Sequence, residues 1–212
     1  MGDFAEKRAR MVERQLRARG IDDEGVLGAM GEVPREEFVP ERSRRSAYAD
    51  SALPIGGGQT ISQPWVVAAI CQALALQGGE RVLEVGTGSG YSAAVLARLA
   101  AEVIGIERHE PLAKLAAAAL ARTGADNVRV MVGDGSRGFP EQAPFDAIAV
   151  HASAPAAPPA LIAQLADGGR LVVPIATETS DDLTLLRREG EGLETTTLAP
   201  CRFVPLIGEQ GF

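Results

Sequence analysis

The chain has 212 residues, enough for one α/β domain with a full core, and its net charge of −7 argues against a nucleic-acid carrier, which would show a basic face. Its two cysteines, Cys71 and Cys201, lie far apart with no histidine beside either; this excludes a disulfide scaffold and a zinc pattern, leaves both as small hydrophobes, and predicts no metal. No run reaches the roughly 18 apolar residues of a membrane span, and the charged start is unlike a signal peptide, so a soluble cytoplasmic protein with no membrane partner is expected.

Residues 4–20 read as an amphipathic helix closed by Gly20, and Asp22 or Asp23 caps a second short helix with Val26, Met30 and Val33 on one face. Pro34 and Pro40 punctuate the approach to a glycine-rich loop, Leu53-Pro54-Ile55-Gly56-Gly57-Gly58-Gln59-Thr60-Ile61-Ser62-Gln63. Pro64 suits a first helical position, which puts Gln63 near the N-cap and leaves the Ser62 hydroxyl free; that helix runs to residue 77, before Gly78-Gly79. Strands at 81–85, 103–107, 127–132, 145–150 and 171–175 then alternate with helices at 91–100, 111–122 and 159–166, the last ending at Gly168-Gly169. This alternation implies a mostly parallel, doubly wound sheet with helices on both faces, a Rossmann-like α/β fold. Segments 183–188 and 193–198, around Gly190-Glu191-Gly192, read as an antiparallel pair, and 202–207 as a further strand. One domain over 1–212 is the economical reading: N-terminal helices and the glycine-rich loop to 63, a cofactor-binding core at 64–176, and C-terminal strands at 177–212.

The first strand runs into Gly86-Thr87-Gly88-Ser89-Gly90, where glycine permits a tight turn and close approach of backbone to a ligand. The second ends in Glu107, a carboxylate able to accept both hydroxyls of a ribose, and the third in Asp134-Gly135, where a carboxylate can accept from an adenine amino group while glycine leaves room for the ring. A dinucleotide fingerprint would place glycine or alanine where Tyr91 stands, so the spacing resembles S-adenosylmethionine-dependent methyltransferases instead.

With these motifs the chain resembles the protein-L-isoaspartate O-methyltransferases, which methylate isoaspartyl residues of damaged proteins as a repair step. The likeness covers nearly the whole chain and includes Val33-Pro34-Arg35-Glu36-Glu37-Phe38, Gln59-Thr60-Ile61-Ser62-Gln63-Pro64, Leu83-Glu84-Val85-Gly86 and Arg202-Phe203-Val204-Pro205-Leu206. The resemblance implies S-adenosyl-L-methionine as cofactor, S-adenosyl-L-homocysteine as its product, damaged isoaspartyl proteins as partners, and a monomer. It implies an active-site role for Ser62 and cofactor contacts at Ile55, Gly56, Gly57, Gly58, Thr60, Gly86, Gly88, Glu107, Arg108, Asp134 and Gly135. Ile61, Ser62, His151, Val204, Pro205 and Leu206 are the expected substrate contacts, with 204–206 as an apolar wall or, equally, a core strand. His151 stands where the family usually carries threonine or glycine; an imidazole there is expected to charge near pH 6.5 and steepen the pH dependence of activity. His109 reads as a solvated loop residue. The alternatives are a relative that methylates an ordinary aspartate of one particular peptide, and an inactive cofactor-binding homologue.

Overall fold

The computed structural model describes residues 2–212. At the N-terminus, α1 (Gly2–Met11) runs on into a π-helical turn (Val12–Leu16) and a 3-10 turn (Arg17–Arg19), and the run ends at Gly20 as its sequence predicts. Met11, Val12 and Leu16 point into the core. Asp23, rather than Asp22, caps α2 (Glu24–Glu32): the Val26 N–H donates to Asp23 Oδ1 at 3.0 Å. The cap aims Val26, Leu27, Ala29 and Met30 inward.

The glycine-rich stretch is an ordered hairpin, where the sequence alone suggests an open loop. Strand β1 (Leu53–Gly56) pairs antiparallel with β2 (Gln59–Ile61). Gly57 and Gly58 form its tip with φ of 58° and 73°, the left-handed pair that a two-residue hairpin turn of matching twist requires. Next comes α3 (Pro64–Leu74), with Pro64 in its first turn and Gln63 at the N-cap.

A single seven-stranded sheet follows. Strands β3 (Arg81–Val85), β4 (Glu102–Glu107), β5 (Val128–Val132), β6 (Phe145–Val150) and β7 (Leu165–Ala176) are parallel. β8 (Asp181–Glu189) and β9 (Gly192–Cys201) complete it antiparallel, and the spatial order is β5-β4-β3-β6-β7-β8-β9. Strand order therefore reverses at β3, and the crevice outside the carboxyl ends of β3, β4 and β6 is where such sheets bind ligands. Connecting helices are α4 (Tyr91–Leu96), α5 (Glu110–Arg122) and α6 (Pro159–Ala163). One apolar cluster joins the N-terminal helices, α3, α4 and α5 to one face of the sheet, and another packs Leu161 and Leu206 against Leu83, Ile104, Phe145 and Ile148 on the other. Among the described residues no helix is long and apolar enough to cross a membrane.

Several elements end elsewhere than their local sequence predicts, and each time side-chain hydrogen bonds intervene. α3 stops at Leu74 and not residue 77: Ala75 turns left-handed, Arg170 donates to its carbonyl at 2.9 Å, and Glu80 takes the Gln77 N–H. α4 stops at Leu96 and not residue 100, where Asn127 Nδ2 takes the Ala97 and Ala100 carbonyls, each at 3.0 Å. α6 ends at Ala163, and buried Gln164 bridges the Phe139 N–H and the Arg137 carbonyl. β7 thus begins at Leu165 and carries Gly168-Gly169 within it. Residues 202–207 are not a strand. Pro205 makes one bridge to Ser153, and the segment is pinned by the Phe203 N–H donating to Asp181 Oδ2 at 2.6 Å and the Ser153 N–H to the Val204 carbonyl at 2.8 Å.

Candidate active site

Two adjoining depressions meet above the carboxyl end of β3. The first encloses about 530 Å³ including its open mouth and is lined by Gly86, Gly88, Glu107, Arg108 and Gly135, with Gln59 and Thr60 from the hairpin and Val204, Pro205 and Leu206 opposite. The second is a groove bordered by Ser62, Gln63, Trp65, Phe203 and Val204. Thr60, His151 and Val204 line both.

The first cleft fits a nucleoside. The Glu107 carboxylate is buried and already held by two backbone donors, Gly88 N–H to Oε2 and His109 N–H to Oε1, both at 2.8 Å. Its remaining lone pairs are thereby fixed in direction, as recognition of a vicinal diol demands. A side chain at Gly135 would meet Val85 Cγ1 at 2.5 Å, so only glycine lets the backbone floor the cleft there. Thr87 and Gly86 N–H groups both donate to the Ile106 carbonyl, which ties the glycine turn to β4.

Not every expected contact is brought to this cleft. Ile55 is buried beside Gly88, where an added Cβ would approach Ile55 Cδ1 to 3.3 Å; Gly56, Gly57 and Gly58 are exposed at the hairpin tip, and it is Gln59 and Thr60 that reach the cleft. Asp134 turns away from the cleft while its neighbour Gly135 lines it. The Asp134 oxygens accept from Ser136 N–H at 3.0 Å, Ser136 Oγ at 2.7 Å and Glu209 N–H at 2.8 Å, which anchors the C-terminal tail. His109 is half-buried at the N-cap of α5, with Nε2 buried and unpartnered, so the solvated-loop reading is wrong for it. Leu206 is both core and cleft wall, while Val204 is half-buried and Pro205 exposed, so 204–206 is not the core strand that the sequence offers as one reading.

Ser62 is half-buried, between Ile61 and the start of α3, and lines the groove beside His151. Its backbone is fixed by Arg35, a fully buried guanidinium that donates to the Ser62 carbonyl and the Ala47 carbonyl, each at 2.7 Å, and lies 4.7 Å from the Tyr91 ring centroid. Arg35 is thus a positioning residue that the Val33-Pro34-Arg35 motif marked without revealing its partner. Asp181 has a similar task, accepting from Ser153 Oγ at 2.6 Å as well as from Phe203.

Behind the junction sits a buried polar cluster. Ser92 Oγ is hydrogen-bonded to Glu84 and lies 3.0 Å from His151 Nε2, which is itself 3.5 Å from Glu84 Oε1. Burial raises Glu84 to about 7, opposed by the Ser92 and Thr87 hydroxyls and reinforced by Glu107, while burial alone lowers His151 to about 4. Burial thus favours the neutral imidazole at His151, against the expected charging near pH 6.5. Relative to ordinary values of 4.5 and 6.5, folding shifts a proton from the histidine to the glutamate. The stability due to Glu84 is complete below 4.5 and lost as pH rises through about 7; that due to His151 is complete above 6.5 and lost as pH falls through about 4. Their slopes cancel between 4.5 and 6.5. The His151→Thr variant should accordingly lose stability with rising pH across that window, by roughly 1 kcal/mol per unit, where the parent is flat. Urea midpoints measured at four pH values check this; parallel profiles would contradict it.

A doubly wound sheet with a glycine turn, a pinned glutamate and a glycine floor around one crevice defines a Rossmann-like methyltransferase. Comparison with known proteins narrows this: residues 6–211 match the family model for protein-L-isoaspartate(D-aspartate) O-methyltransferase. The chain belongs to that family. It is 56% identical over 211 residues to protein-L-isoaspartate O-methyltransferase 1 of Rhodopseudomonas palustris, covering 99% of this chain and 86% of the relative. To the Koribacter versatilis protein-L-isoaspartate O-methyltransferase it is 53% identical over 209 residues, covering 99% and 94%. A solved protein-L-isoaspartate O-methyltransferase superposes with a TM-score of 0.87 at 31% identity, covering 96% of this chain and 67% of that one. A Plasmodium falciparum structure of the same description, in complex with S-adenosyl-L-homocysteine, gives 0.83 at 28% identity, covering 94% and 98%.

Proposed function

We propose that the chain transfers the methyl group of S-adenosylmethionine to the α-carboxylate of L-isoaspartyl residues in damaged proteins, as a repair step. The observation that carries this reading is the junction itself: a nucleoside cleft and an open groove share Thr60, His151 and Val204, with Ser62 at the groove's inner end. Bound S-adenosylmethionine supplies an electrophilic methyl on a sulfonium. Glu107 holds its ribose, Gly86 and Gly88 admit it to the backbone, Gly135 floors the ring site, and Arg108, Gln59 and Thr60 close the rim.

An α-carboxylate ionises near pH 3.5, about the C-terminal value, so the acceptor arrives as an anion and no general base is required. Catalysis then consists of alignment and exclusion of water. Ser62 Oγ donates to the acceptor carboxylate and sets its approach, Ile61 and Val204 shield it, and Pro205 and Leu206 wall the cleft behind. An open groove suits a kinked backbone segment better than a deep pocket, and the acidic net charge favours protein over nucleic-acid partners. The chain acts as a monomer in the cytoplasm on this reading.

Incubated with S-adenosylmethionine and a peptide carrying one isoaspartyl residue, the protein should form a methyl ester on that residue's α-carboxylate, located by fragmentation mass spectrometry. An ester confined to an ordinary side-chain carboxylate would overturn the reading.

A further inference from the structure

We infer that Glu84 is a positioning residue for the methyl acceptor, acting through Ser92 to decide which nitrogen of His151 carries the imidazole proton. The inference rests on the proposed acceptor site and adds a residue to it that touches neither cofactor cleft nor groove.

Glu84 is fully buried in the middle of β3, flanked by Gly105 of β4 and Ala149 of β6, which offer it no polar side chain. Its polar contacts come from Ser92 on α4 and from His151 just beyond β6, while among the described residues its Oε2 has no hydrogen-bond partner. The other titratable groups bearing on it are Cys71 on α3, a thiol held neutral by burial, and Glu107 at the end of β4, whose negative charge opposes ionisation. Ser92 Oγ touches Glu84 on one side and His151 Nε2 on the other, and a hydroxyl has one hydrogen to give. The far imidazole nitrogen, Nδ1, is buried without a partner, on a side chain that lines both depressions.

Two arrangements satisfy this chain. With Glu84 protonated, its O–H donates to Ser92 Oγ, the Ser92 hydrogen goes to Nε2, and the imidazole proton sits on Nδ1 as a donor. With Glu84 ionised, Ser92 donates to the carboxylate and accepts from Nε2–H, and Nδ1 carries a lone pair. Passing from the first to the second releases one proton from Nδ1, moves the Ser92 hydrogen to Nε2 and moves the Glu84 hydrogen to Ser92; nothing else is gained or lost. An Nδ1–H attracts the acceptor carboxylate, whereas a lone pair backed by a buried anion repels it. The raised Glu84 and lowered His151 values place the whole exchange between neutral imidazole forms near pH 7.

Nitrogen-15 NMR of the histidine-labelled protein reads the tautomer directly, the His151 signals being those lost in His151→Thr. The parent protein should keep a neutral His151 from pH 6 to 8 while its proton passes from Nδ1 to Nε2, and the Glu84→Gln and Ser92→Ala variants should lose that pH dependence. KM for an isoaspartyl peptide should rise roughly tenfold over the same range in the parent and by less than about twofold in Glu84→Gln, with KM for S-adenosylmethionine unchanged. An imidazolium at His151, a tautomer indifferent to pH in the parent, or a titration that survives in Glu84→Gln would each overturn the inference. Lack of any turnover on isoaspartyl peptide would instead overturn the functional reading, and the NMR result still decides the role of Glu84.

Discussion

Replacing Ser62 by alanine should lower kcat on an isoaspartyl peptide by about 100-fold while S-adenosylmethionine binds as in the parent, because the lost hydroxyl orients the acceptor and not the donor. Several observations set this expectation. Ser62 lines the groove, and a smaller depression that reaches Gly86 and Gly88, but not the cleft at Glu107 and Gly135. The N-cap of α3 is Gln63 and has no side-chain capping bond, so the Ser62 hydroxyl has no helix to stabilise. Its backbone carbonyl is held at 2.7 Å by the fully buried Arg35, which fixes where the hydroxyl is presented. Steady-state kinetics with calorimetric titration of S-adenosylhomocysteine separates the two effects. Full activity in Ser62→Ala would remove the serine from the mechanism, and weakened cofactor binding would move it to the other cleft.

Glu107→Ala should act in the opposite sense, weakening S-adenosylmethionine by about 100-fold to 1,000-fold with little change in thermal midpoint. A hydrogen bond to a charged acceptor contributes about 1.5–3 kcal/mol, so losing two at the lower figure costs about 3 kcal/mol, roughly 150-fold. The Gly88 and His109 N–H groups that now hold the carboxylate lose that partner, and Glu107 and Gly88 both line the cleft, where water can take its place. Titration calorimetry of the variant with S-adenosylhomocysteine measures the effect. An unchanged affinity would mean that Glu107 only orders the glycine turn.

Much of this site was legible in the chain because its chemistry is local. Gly86, Gly88, Glu107 and Gly135 each follow a strand whose periodicity is plain, and a parallel sheet brings strand ends together without further information. The hairpin is hidden because its strands are short and rich in glycine; it leaves Gly56, Gly57 and Gly58 exposed at the tip and brings Gln59 and Thr60 to the cleft. Arg35, Asp181 and the Asp134 tail anchor depend on partners 27, 22 and 75 residues away, which no local pattern predicts. Two helix ends are hidden for the same reason: Asn127 and Arg170 capture carbonyls from across the fold. The charge state of His151 is not legible in sequence because burial decides it, and burial is a property of the whole fold.

The most direct test compares kcat/KM for methyl transfer to two peptides identical except for isoaspartate or aspartate at one position. The account predicts transfer to the isoaspartyl peptide with at least a 100-fold preference, because the proposed acceptor is an α-carboxylate on a backbone kink that the aspartyl peptide lacks. Equal transfer to both, or transfer to the aspartyl peptide alone, would contradict it.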